Sequence, residues 1–347
     1  MTKTMAAKQA GAPPAVSPDA ILQLGFGFWG SKALLSAVEL GVFTALAGTS
    51  AELETLRSQL GLHPRSGRDF LDALVALGML ERRGGRYANT PATEVFLDRA
   101  KPSYLGGILE MANARLFRFW ADLTKGLRTG VPQNETKTGG SFFTELYADP
   151  VRLREFARAM TALSMSSIIA ISEQFPWSGY RAFADIGCAE GSLGAHLARQ
   201  HPHLTGVGLD LPALGPVFEE HVGAAGLSDR LRFQAGDFLV DELPAADVLV
   251  FGHVLHDWGL DTKRLLIERA YRALPPDGAI ICYDAVIDDD RRQNAFGLLM
   301  SLNMLIELPD GFDYTGADCQ QWLQAAGFRR TYVEHLAGPE SMVVGIK

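Results

Sequence analysis

The fold of this chain is decided by residues 184–194, which read Ala-Asp-Ile-Gly-Cys-Ala-Glu-Gly-Ser-Leu-Gly. An apolar run that contains one acid ends at Gly187, and a second glycine, Gly191, precedes apolar residues at helical spacing. This order is typical of a strand, a tight glycine turn and a helix. Such a turn brings the backbone close to a ligand and points the free N–H groups of the helix at it. The stretch therefore predicts one unit of a nucleotide-binding α/β domain.

Two further predicted strands end on polar residues. Thr205–Leu209 is followed by Asp210, and Leu231–Ala235 is followed by Gly236 and Asp237. Because the carboxyl ends of parallel strands meet at one edge of a sheet, we expect these residues to line one crevice. An acid after the second strand of such a unit accepts hydrogen bonds from ribose hydroxyls, which is the role predicted for Asp210.

The charge of the glycine turn indicates the class of ligand. The turn lacks the Gly-x-Gly-x-x-Gly pattern of dinucleotide sites, and Asp185 and Glu190 add negative charge where a pyrophosphate would lie. A cationic nucleoside suits this turn better. The sequence therefore predicts S-adenosyl-L-methionine (SAM) as cofactor, since SAM carries an adenosine, a ribose diol, a sulfonium and an ammonium group.

Beyond Asp237, strand and helix patterns alternate to the end of the chain, which predicts a doubly wound parallel sheet with an added edge hairpin. The predicted strands are 247–251, 278–284, 331–334 and 342–346, and the predicted helices are 262–273, 295–308 and 317–326.

The N-terminal half is predicted to be mainly helical. Residues 1–16 are rich in Ala, Pro, Gly and Lys, which predicts a disordered tail. The helices within residues 17–46 are apolar on nearly every side, which favours a subunit interface over a purely internal core. Residues 52–92 are similar to a winged helix with a Gly-Gly hairpin at 80–87. The remaining predicted segments are helices at 102–126 and 150–174, a loop at 130–140 and a linker at 176–179.

Composition argues against several classes of protein. The net charge of −8 and the lack of a basic recognition helix argue against nucleic acid as a partner, although the wing carries Arg82, Arg83 and Arg86. No run of about 18 uncharged apolar residues suggests a membrane span, and the start lacks the apolar core of a secretory signal. Three widely spaced cysteines fit reduced thiols and no zinc pattern. We therefore expect a cytoplasmic protein.

A histidine is predicted to supply the chemistry. The strand at 247–251 runs into a segment that contains His253, His256 and Trp258. A neutral imidazole in the crevice can remove the proton of a phenol or other hydroxyl, and this is the role predicted for His256. Trp258 could flank an adenine.

Two acids are candidates to orient that imidazole. Asp284 ends the next strand, and Asp318 lies on a later helix. A carboxylate bonded to one imidazole nitrogen fixes the tautomer and leaves the other nitrogen free to accept a proton. The alternative for Asp318 is a charge at a helix N-terminus that complements the helix dipole.

These motifs in combination resemble the SAM-dependent O-methyltransferases typified by plant caffeate and flavonoid enzymes and by bacterial natural-product tailoring enzymes. The resemblance covers nearly everything from about residue 20 onward. It rests on Asp185-Ile-Gly187, Asp210-Leu-Pro, Gly236-Asp-Phe238, His253-Val-Leu-His-Asp-Trp258 and Ala326-Gly-Phe328. Departures are Cys188 and Ala189 in place of glycines, and aspartates where the orienting acids are usually glutamates.

The resemblance implies an α/β fold: a Rossmann-like class I methyltransferase sheet with an N-terminal, mainly helical winged-helix dimerisation domain. The implied domains are the tail (1–16), the winged-helix dimerisation domain (17–100), a helical region roofing the substrate pocket (101–176) and the SAM-binding catalytic domain (177–347). The implied partners are a small aromatic or polyketide-like acceptor and a second copy of the chain, bound through the N-terminal helices.

The resemblance and the pattern together assign site residues. The catalytic residues are His256, Asp284 and Asp318, and no metal is expected. The SAM-binding residues are Met160, Ser164, Asp185, Gly187, Gly191, Asp210, Leu211, Gly236, Asp237, Phe238, His253 and Trp258. The acceptor-binding residues are Phe26, Trp29, Met111, Phe117, Trp120, Phe296, Met300, Asn303 and Met304.

Other functions stay open at this point. The scaffold could methylate carbon or nitrogen, or bind SAM while assisting decarboxylation, hydroxylation or cyclisation. His253, His256, Asp257 and Asp284 could hold a metal ion. A ligand-sensing winged-helix protein that binds DNA would need a basic recognition helix, which the sequence lacks.

Overall fold

The computed structural model describes residues 16–101, 103–135 and 142–347. The predicted disordered tail lies outside these residues except for Val16. The chain divides into two compact units, one up to Glu94 and one from Val95 to Lys347.

The first unit contains the predicted winged helix. Its hairpin joins the strands Leu80–Arg83 and Arg86–Asn89 through Gly84 and Gly85, whose φ angles of 56° and 80° suit glycine. A short strand before the first winged-helix helix, Ser50–Glu52, was not predicted and pairs antiparallel with the second strand of this hairpin. The strands are β1 (Ser50–Glu52), β2 (Leu80–Arg83) and β3 (Arg86–Asn89), and the helices are Asp19–Gly25, Gly27–Glu39, Val42–Ala45, Leu53–Gln59 and Gly67–Ala76. The helix Pro91–Phe96 spans the boundary between the two units.

The arginines of the wing pair with carboxylates of the same unit. Arg82 bonds to Asp72, and the guanidinium of Arg83 lies 2.7 Å from Glu81. These ion pairs offset part of the positive charge of the wing.

The N-terminal helices of the first unit expose apolar side chains. Ile21 is 75% exposed, Leu24 84% and Trp29 61%. The stretch Asp19–Glu39 is long and apolar enough to cross a membrane by length and composition alone, although Lys32 interrupts it. An exposed apolar surface of this extent indicates an interaction site.

The second unit confirms the predicted doubly wound sheet with its edge hairpin. The strand order is β6-β5-β4-β7-β8-β10-β9; the first five strands are parallel, and β10 runs antiparallel to both neighbours. The strands are β4 (Ala182–Ile186), β5 (Thr205–Asp210), β6 (Leu231–Ala235), β7 (Val248–Gly252), β8 (Ala279–Asp284), β9 (Arg330–Ala337) and β10 (Glu340–Ile346). The helices packed around this sheet are Pro150–Gln174, Ser192–Gln200, Gly215–Ala224, Leu260–Ala273, Ala295–Glu307 and Gly316–Ala326.

Three segments of the second unit differ from the prediction. The single helix expected at 102–126 is a series of short pieces: Gly106–Met111, a π-helical turn at Ala112–Leu116, Phe117–Phe119, a 3₁₀ turn at Trp120–Asp122 and Leu123–Thr129. A helix at Phe142–Tyr147 was not predicted. The expected linker is a 3₁₀ turn whose Trp177 is only 1% exposed, because its indole packs against Phe175 and Phe183 in the core. The described residues between 101 and 176 belong to the same compact unit as the sheet.

Candidate active site

The glycine turn and Asp210 hold each other in place. Gly187, Ala189 and Gly191 all have positive φ, at 77°, 48° and 84°. The N–H of Ala189 donates to Asp210 Oδ2 over 2.9 Å, and the N–H of Leu211 donates to Oδ1 over 2.8 Å. The carboxylate of Asp210 is therefore fixed at the end of β5 and keeps further acceptor positions on both oxygens.

A cavity of about 380 Å³ opens at the carboxyl ends of the parallel strands. Most of the predicted SAM-binding residues line it: Met160, Ser164, Asp185, Gly187, Asp210, Leu211, Asp237, Phe238, His253 and Trp258.

Two predicted SAM-binding glycines shape the cavity from behind. A Cβ on Gly191 would lie 2.5 Å from the ring of Phe218, and Gly191 precedes the helix Ser192–Gln200. The N–H of Gly236 donates to the carbonyl of Asp210 over 2.9 Å. Neither residue lines the cavity, and their predicted contact with SAM stays a prediction.

An aromatic wall of the cavity was only partly predicted. Phe143 and Tyr147, on the unpredicted helix, line the cavity together with Phe238 and Trp258. The ring centroids of Phe143 and Trp258 are 6.5 Å apart, and those of Phe238 and Trp258 are 6.1 Å apart. The spacing of Phe143 and Tyr147, four residues apart, was a signal for one helical face that could have identified them. Such a wall suits a flat ring.

Buried carboxylates give the cavity a preference for cations. Burial raises the pKa of Asp185 to about 7, and the neighbouring Asp210 adds to the shift. Burial also raises the pKa of Asp210 to about 6, although the two backbone N–H donors oppose that rise. A cation in the cavity would favour the ionised form of both groups.

Glu190 contributes to the site without lining the cavity. Its Oε1 accepts hydrogen bonds from Thr161 Oγ1 over 2.6 Å and from Ser192 Oγ over 3.3 Å. Both hydroxyls line the cavity, so the negative charge predicted for this turn lies directly behind them.

His256 lies beside the cavity rather than on its wall. The side chain of His256 is 8% exposed. Its sequence neighbours His253, Asp257 and Trp258 line the cavity, whereas His256 itself does not. Nδ1 of His256 lies 3.2 Å from Asp313 Oδ1, and Nε2 lies 3.5 Å from Asp257 Oδ1. Of these two carboxylates, that of Asp257 belongs to a residue that lines the cavity.

The charges around His256 favour its protonated form. Burial alone would lower the pKa of the imidazole, but the surrounding carboxylates outweigh that effect and raise it to about 10. Those carboxylates belong to Asp284, Asp313 and Asp257. The imidazole therefore holds a proton at neutral pH in the protein without ligands, contrary to the neutral form expected from the sequence.

One of the two predicted orienting acids lies next to the imidazole. Asp284 is fully buried, with Oδ1 3.6 Å from Nδ1 of His256 and Oδ2 accepting a hydrogen bond from the hydroxyl of Tyr314 over 2.5 Å. Burial raises the pKa of Asp284, while His256 opposes that rise.

The second orienting acid was placed wrongly at Asp318. Asp318 forms a capping box with Thr315: its Oδ2 accepts from the N–H of Thr315, and its own N–H donates to the threonine hydroxyl. The carboxylate at Nδ1 of His256 is that of Asp313, which is 1% exposed. Both acids precede or begin the same helix, which explains why spacing alone did not separate them.

His253 extends the cluster. It has a φ of 52°, unusual for a residue with a Cβ, and lies between Asp284 Oδ1 at 3.8 Å and Glu340 Oε1 at 3.4 Å. One ligand atom each from His253, His256 and Asp284 lie within 4.8 Å of one another, which is compatible with a metal ion. Because Nδ1 of His256 is already bonded to Asp313, the absence of a metal stays our prediction.

The predicted acceptor-binding residues lie outside the described cavity. Phe26 and Trp29 belong to the first unit, with ring centroids 4.6 Å apart. In the second unit, the indole N–H of Trp120 donates to Asn303 Oδ1 over 2.8 Å, so these two are brought together. Met304 is a buried core residue, whereas Phe117 and Phe296 are exposed and Met111 and Met300 are half-buried. Their role in binding an acceptor stays a prediction.

Known proteins are similar to this chain over nearly its whole length. The model of the O-methyltransferase domain matches residues 120–329, and the model of the O-methyltransferase dimerisation domain matches residues 22–99. The chain is 47% identical over 331 residues to the tetracenomycin polyketide synthesis 8-O-methyl transferase TcmO of Streptomyces glaucescens, covering 95% of this chain and 97% of that one. It is 37% identical over 324 residues to the N,N-dimethyltransferase OxyT of Streptomyces rimosus, covering 93% and 94%. A crystal structure of human N-acetylserotonin methyltransferase in complex with SAM superimposes with a TM-score of 0.88 at 26% identity, covering 97% and 99%.

The buried carboxylates predict that SAM binding depends on pH. A cation binds most tightly when Asp185 and Asp210 are ionised, and their pKa values are raised to about 7 and about 6. The dissociation constant of SAM, measured by titration calorimetry, should therefore fall as the pH rises through this range. Asp185→Asn should weaken binding and flatten the dependence. A dissociation constant that stays the same between about pH 5 and about pH 8, a range that spans both pKa values, would contradict the assignment of Asp185 and Asp210 to the SAM site.

Proposed function

The chain belongs to the SAM-dependent O-methyltransferase family, and from that premise we propose that it methylates a phenolic hydroxyl of a small aromatic, polyketide-like metabolite, with His256 as the general base. The observation that carries this proposal is the position of the imidazole, with Nδ1 on Asp313 and Nε2 3.5 Å from Asp257, a residue that lines the cavity. The 47% identity to an enzyme of tetracenomycin polyketide synthesis supports the class of acceptor.

The cavity fits SAM in both charge and shape. Asp210 has acceptor positions for the ribose diol, Asp185 is a buried carboxylate for a positive charge, and the aromatic rings of Phe143 and Trp258 suit an adenine. SAM would supply a methyl group on a positively charged sulfur. The acceptor oxygen would bond to the methyl carbon and displace the sulfur as a neutral thioether.

The residues around His256 prepare it to accept a proton. Asp313 and Asp284 lie at Nδ1, so Nε2, 3.5 Å from Asp257 Oδ1, is the nitrogen that we propose takes the proton of the acceptor. A cation bound in the neighbouring cavity disfavours the imidazolium, so the pKa of His256 falls from its raised value when cofactor binds. The neutral imidazole can then take the hydroxyl proton as the oxygen forms its bond to the methyl carbon.

Positioning supplies the rest of the rate. A general base contributes about 10²- to 10⁴-fold, and holding two reactants in line contributes more. The turn at residues 187–191 and the fixed carboxylate of Asp210 are rigid elements suited to that task.

The dimer is the second part of the proposal. The chain carries the dimerisation domain of its family, and we place the interface on the exposed apolar helices Asp19–Gly25 and Gly27–Glu39. The three cysteines are free and buried, which agrees with a reducing compartment, and we propose a cytoplasmic location on that ground.

The function is tested by methyl transfer itself. Purified protein with SAM labelled in its methyl group should label a panel of polyketide phenols on oxygen, as judged by mass spectrometry and NMR of the products.

His256→Ala should lower kcat by about 10²- to 10⁴-fold while the dissociation constant of SAM stays close to that of the wild type. For the wild type, kcat should rise with pH above neutrality, because the base must lose its proton.

N-methylation is the second candidate, because OxyT is an N,N-dimethyltransferase at 37% identity. An amine that is already neutral needs no base, so His256→Ala would then leave kcat almost unchanged. Label on nitrogen, or turnover on phenols that survives loss of the imidazole, would overturn the proposal.

The corrected orienting acid gives a matched pair of variants. Asp313→Asn should lower kcat by about 10- to 100-fold, the usual loss when a partner that orients an imidazole is removed. Asp318→Asn should leave kcat unchanged and lower the free energy of unfolding by about 1 kcal/mol or less through the capping box. Steady-state kinetics and urea unfolding distinguish the two, and equal losses of kcat would return Asp318 to the site.

The interface is tested by a charge placed on its apolar face. Leu24→Glu, at a position 84% exposed, should weaken self-association by at least about tenfold, as sedimentation measures it. Val240→Glu, at a position 73% exposed in the second unit, is the matched control and should leave the dimer intact. A Leu24→Glu protein that remains as dimeric as the control would place the interface elsewhere.

A further inference from the structure

Lys263 is a buried lysine next to the site that the proposed chemistry does not use. It lies on the helix Leu260–Ala273 and is fully buried. Its ammonium group donates to the carbonyl of Trp258 and lies 3.6 Å from the ring centroid of Phe312. The ring of Tyr314 is 5.9 Å away. An ammonium in such a place is unfavourable unless nearby groups compensate its charge.

The compensating charges are the carboxylates of the active site. Burial lowers the pKa of Lys263 to about 8, whereas the surrounding acids favour its charged form. Those acids are Asp284, Asp313, Asp257 and Asp310. Three of them also face His256, so the lysine and the imidazole share the same carboxylates.

Lys263 also joins the two loops that carry these acids. The carbonyl that it holds belongs to the residue after Asp257, and the ring beneath it belongs to the residue before Asp313. The segment around Asp313 has further anchors: the N–H of Asp313 donates to Ser301 Oγ over 3.1 Å, and the N–H of Ile287 donates to the carbonyl of Tyr314 over 2.9 Å.

We propose that Lys263 is a positioning residue for the methyl transfer. Its ammonium holds the loops that carry Asp257 and Asp313 around His256 and balances part of their negative charge, so that the imidazole can release a proton. This inference rests on the proposed role of His256 and extends it to a residue that touches neither cofactor nor acceptor.

The direction of the effect follows from charge. Without the ammonium, the imidazolium of His256 alone balances the carboxylates of Asp257, Asp284 and Asp313. The other imidazole nearby is that of His253, whose ring centroid lies 5.7 Å from that of His256. The imidazolium is then held more tightly, and the base needs a higher pH to lose its proton. Loss of one neighbouring charge shifts such a titration by about one pH unit or more.

The test compares Lys263→Met with Lys263→Arg in the full-length protein. Lys263→Met should move the rising limb of the kcat profile about one unit to higher pH, and so lower kcat below that limb by about tenfold. The Michaelis constant of the acceptor should change much less. Lys263→Arg keeps the charge and should restore most of the wild-type profile. Arg264→Met, on the exposed side of the same helix, is the control and should match the wild type.

A second variant and a direct titration separate charge from packing. Phe312→Leu removes the ring beneath the ammonium but keeps the charge, so it should lower the melting temperature without moving the pH profile. NMR of histidine-labelled protein saturated with SAM, in which the bound cation lowers the pKa of His256, should show the His256 titration displaced upward in Lys263→Met and not in Arg264→Met.

Each result bears on the proposal. The proposal is overturned if Lys263→Met leaves both the pH profile of kcat and the His256 titration unchanged. It is also overturned if Lys263→Met and Lys263→Arg lower kcat equally and neither variant shifts the pH profile or the titration. A wild-type protein that transfers no methyl group would overturn the proposed function instead, and the NMR titration would still decide the role of Lys263. If Lys263→Met does not fold, Lys263→Arg and Phe312→Leu must both retain the wild-type pH profile, and a displaced profile in either would refute the assignment.

Discussion

The parallel pairing of β5, β4, β7 and β8 is the constraint on which the rest of the site depends. Four strands that run in one direction end on one edge, and each delivers a polar residue there: Asp210, Asp185, His253 and Asp284. These residues are up to 99 positions apart in the chain (185 to 284) and meet only because the register aligns their strands. Such an edge leaves carboxylates beneath side chains that exclude water, so their charges interact strongly and must be balanced by ligand or protein.

The fold was predictable because its signals are local. Alternation of short apolar runs with amphipathic helices, and glycines at strand ends, predicted all seven strands of the large sheet within a few residues. The broken helix around Ala112–Leu116 was not, since its sequence has an ordinary helical period and only packing decides where a π-helical turn forms. Strand β1 has three residues, too few for a period to be recognised.

Site residues at the ends of strands were predictable from the sequence, whereas site residues positioned by a loop were not. The acids predicted to bind SAM, and His253, lie at or just after the ends of strands, and all of them line the cavity. Asp313 and Asp318 are both candidates by sequence. The capping box with Thr315 removes Asp318 from the site, while the bridge between Ile287 and Thr315 brings Asp313 to β8. The charge state of His256 was also beyond sequence reasoning, because it results from three carboxylates that meet only in the folded chain.

Electrostatics link the cavity to the imidazole beside it. The cavity contains Asp185 and Asp210, and the neighbouring cluster contains three more buried or nearly buried carboxylates against His256 and Lys263. Negative charge therefore exceeds positive charge across this edge of the sheet until a cation enters. A ligand cation then has two effects of the same origin: it is attracted by the carboxylates, and it loosens the proton that they hold on the imidazole. In the proposed mechanism, binding of the cation and activation of the base are consequences of a single charge distribution, that of an acidic cavity beside a histidine whose pKa is raised to about 10.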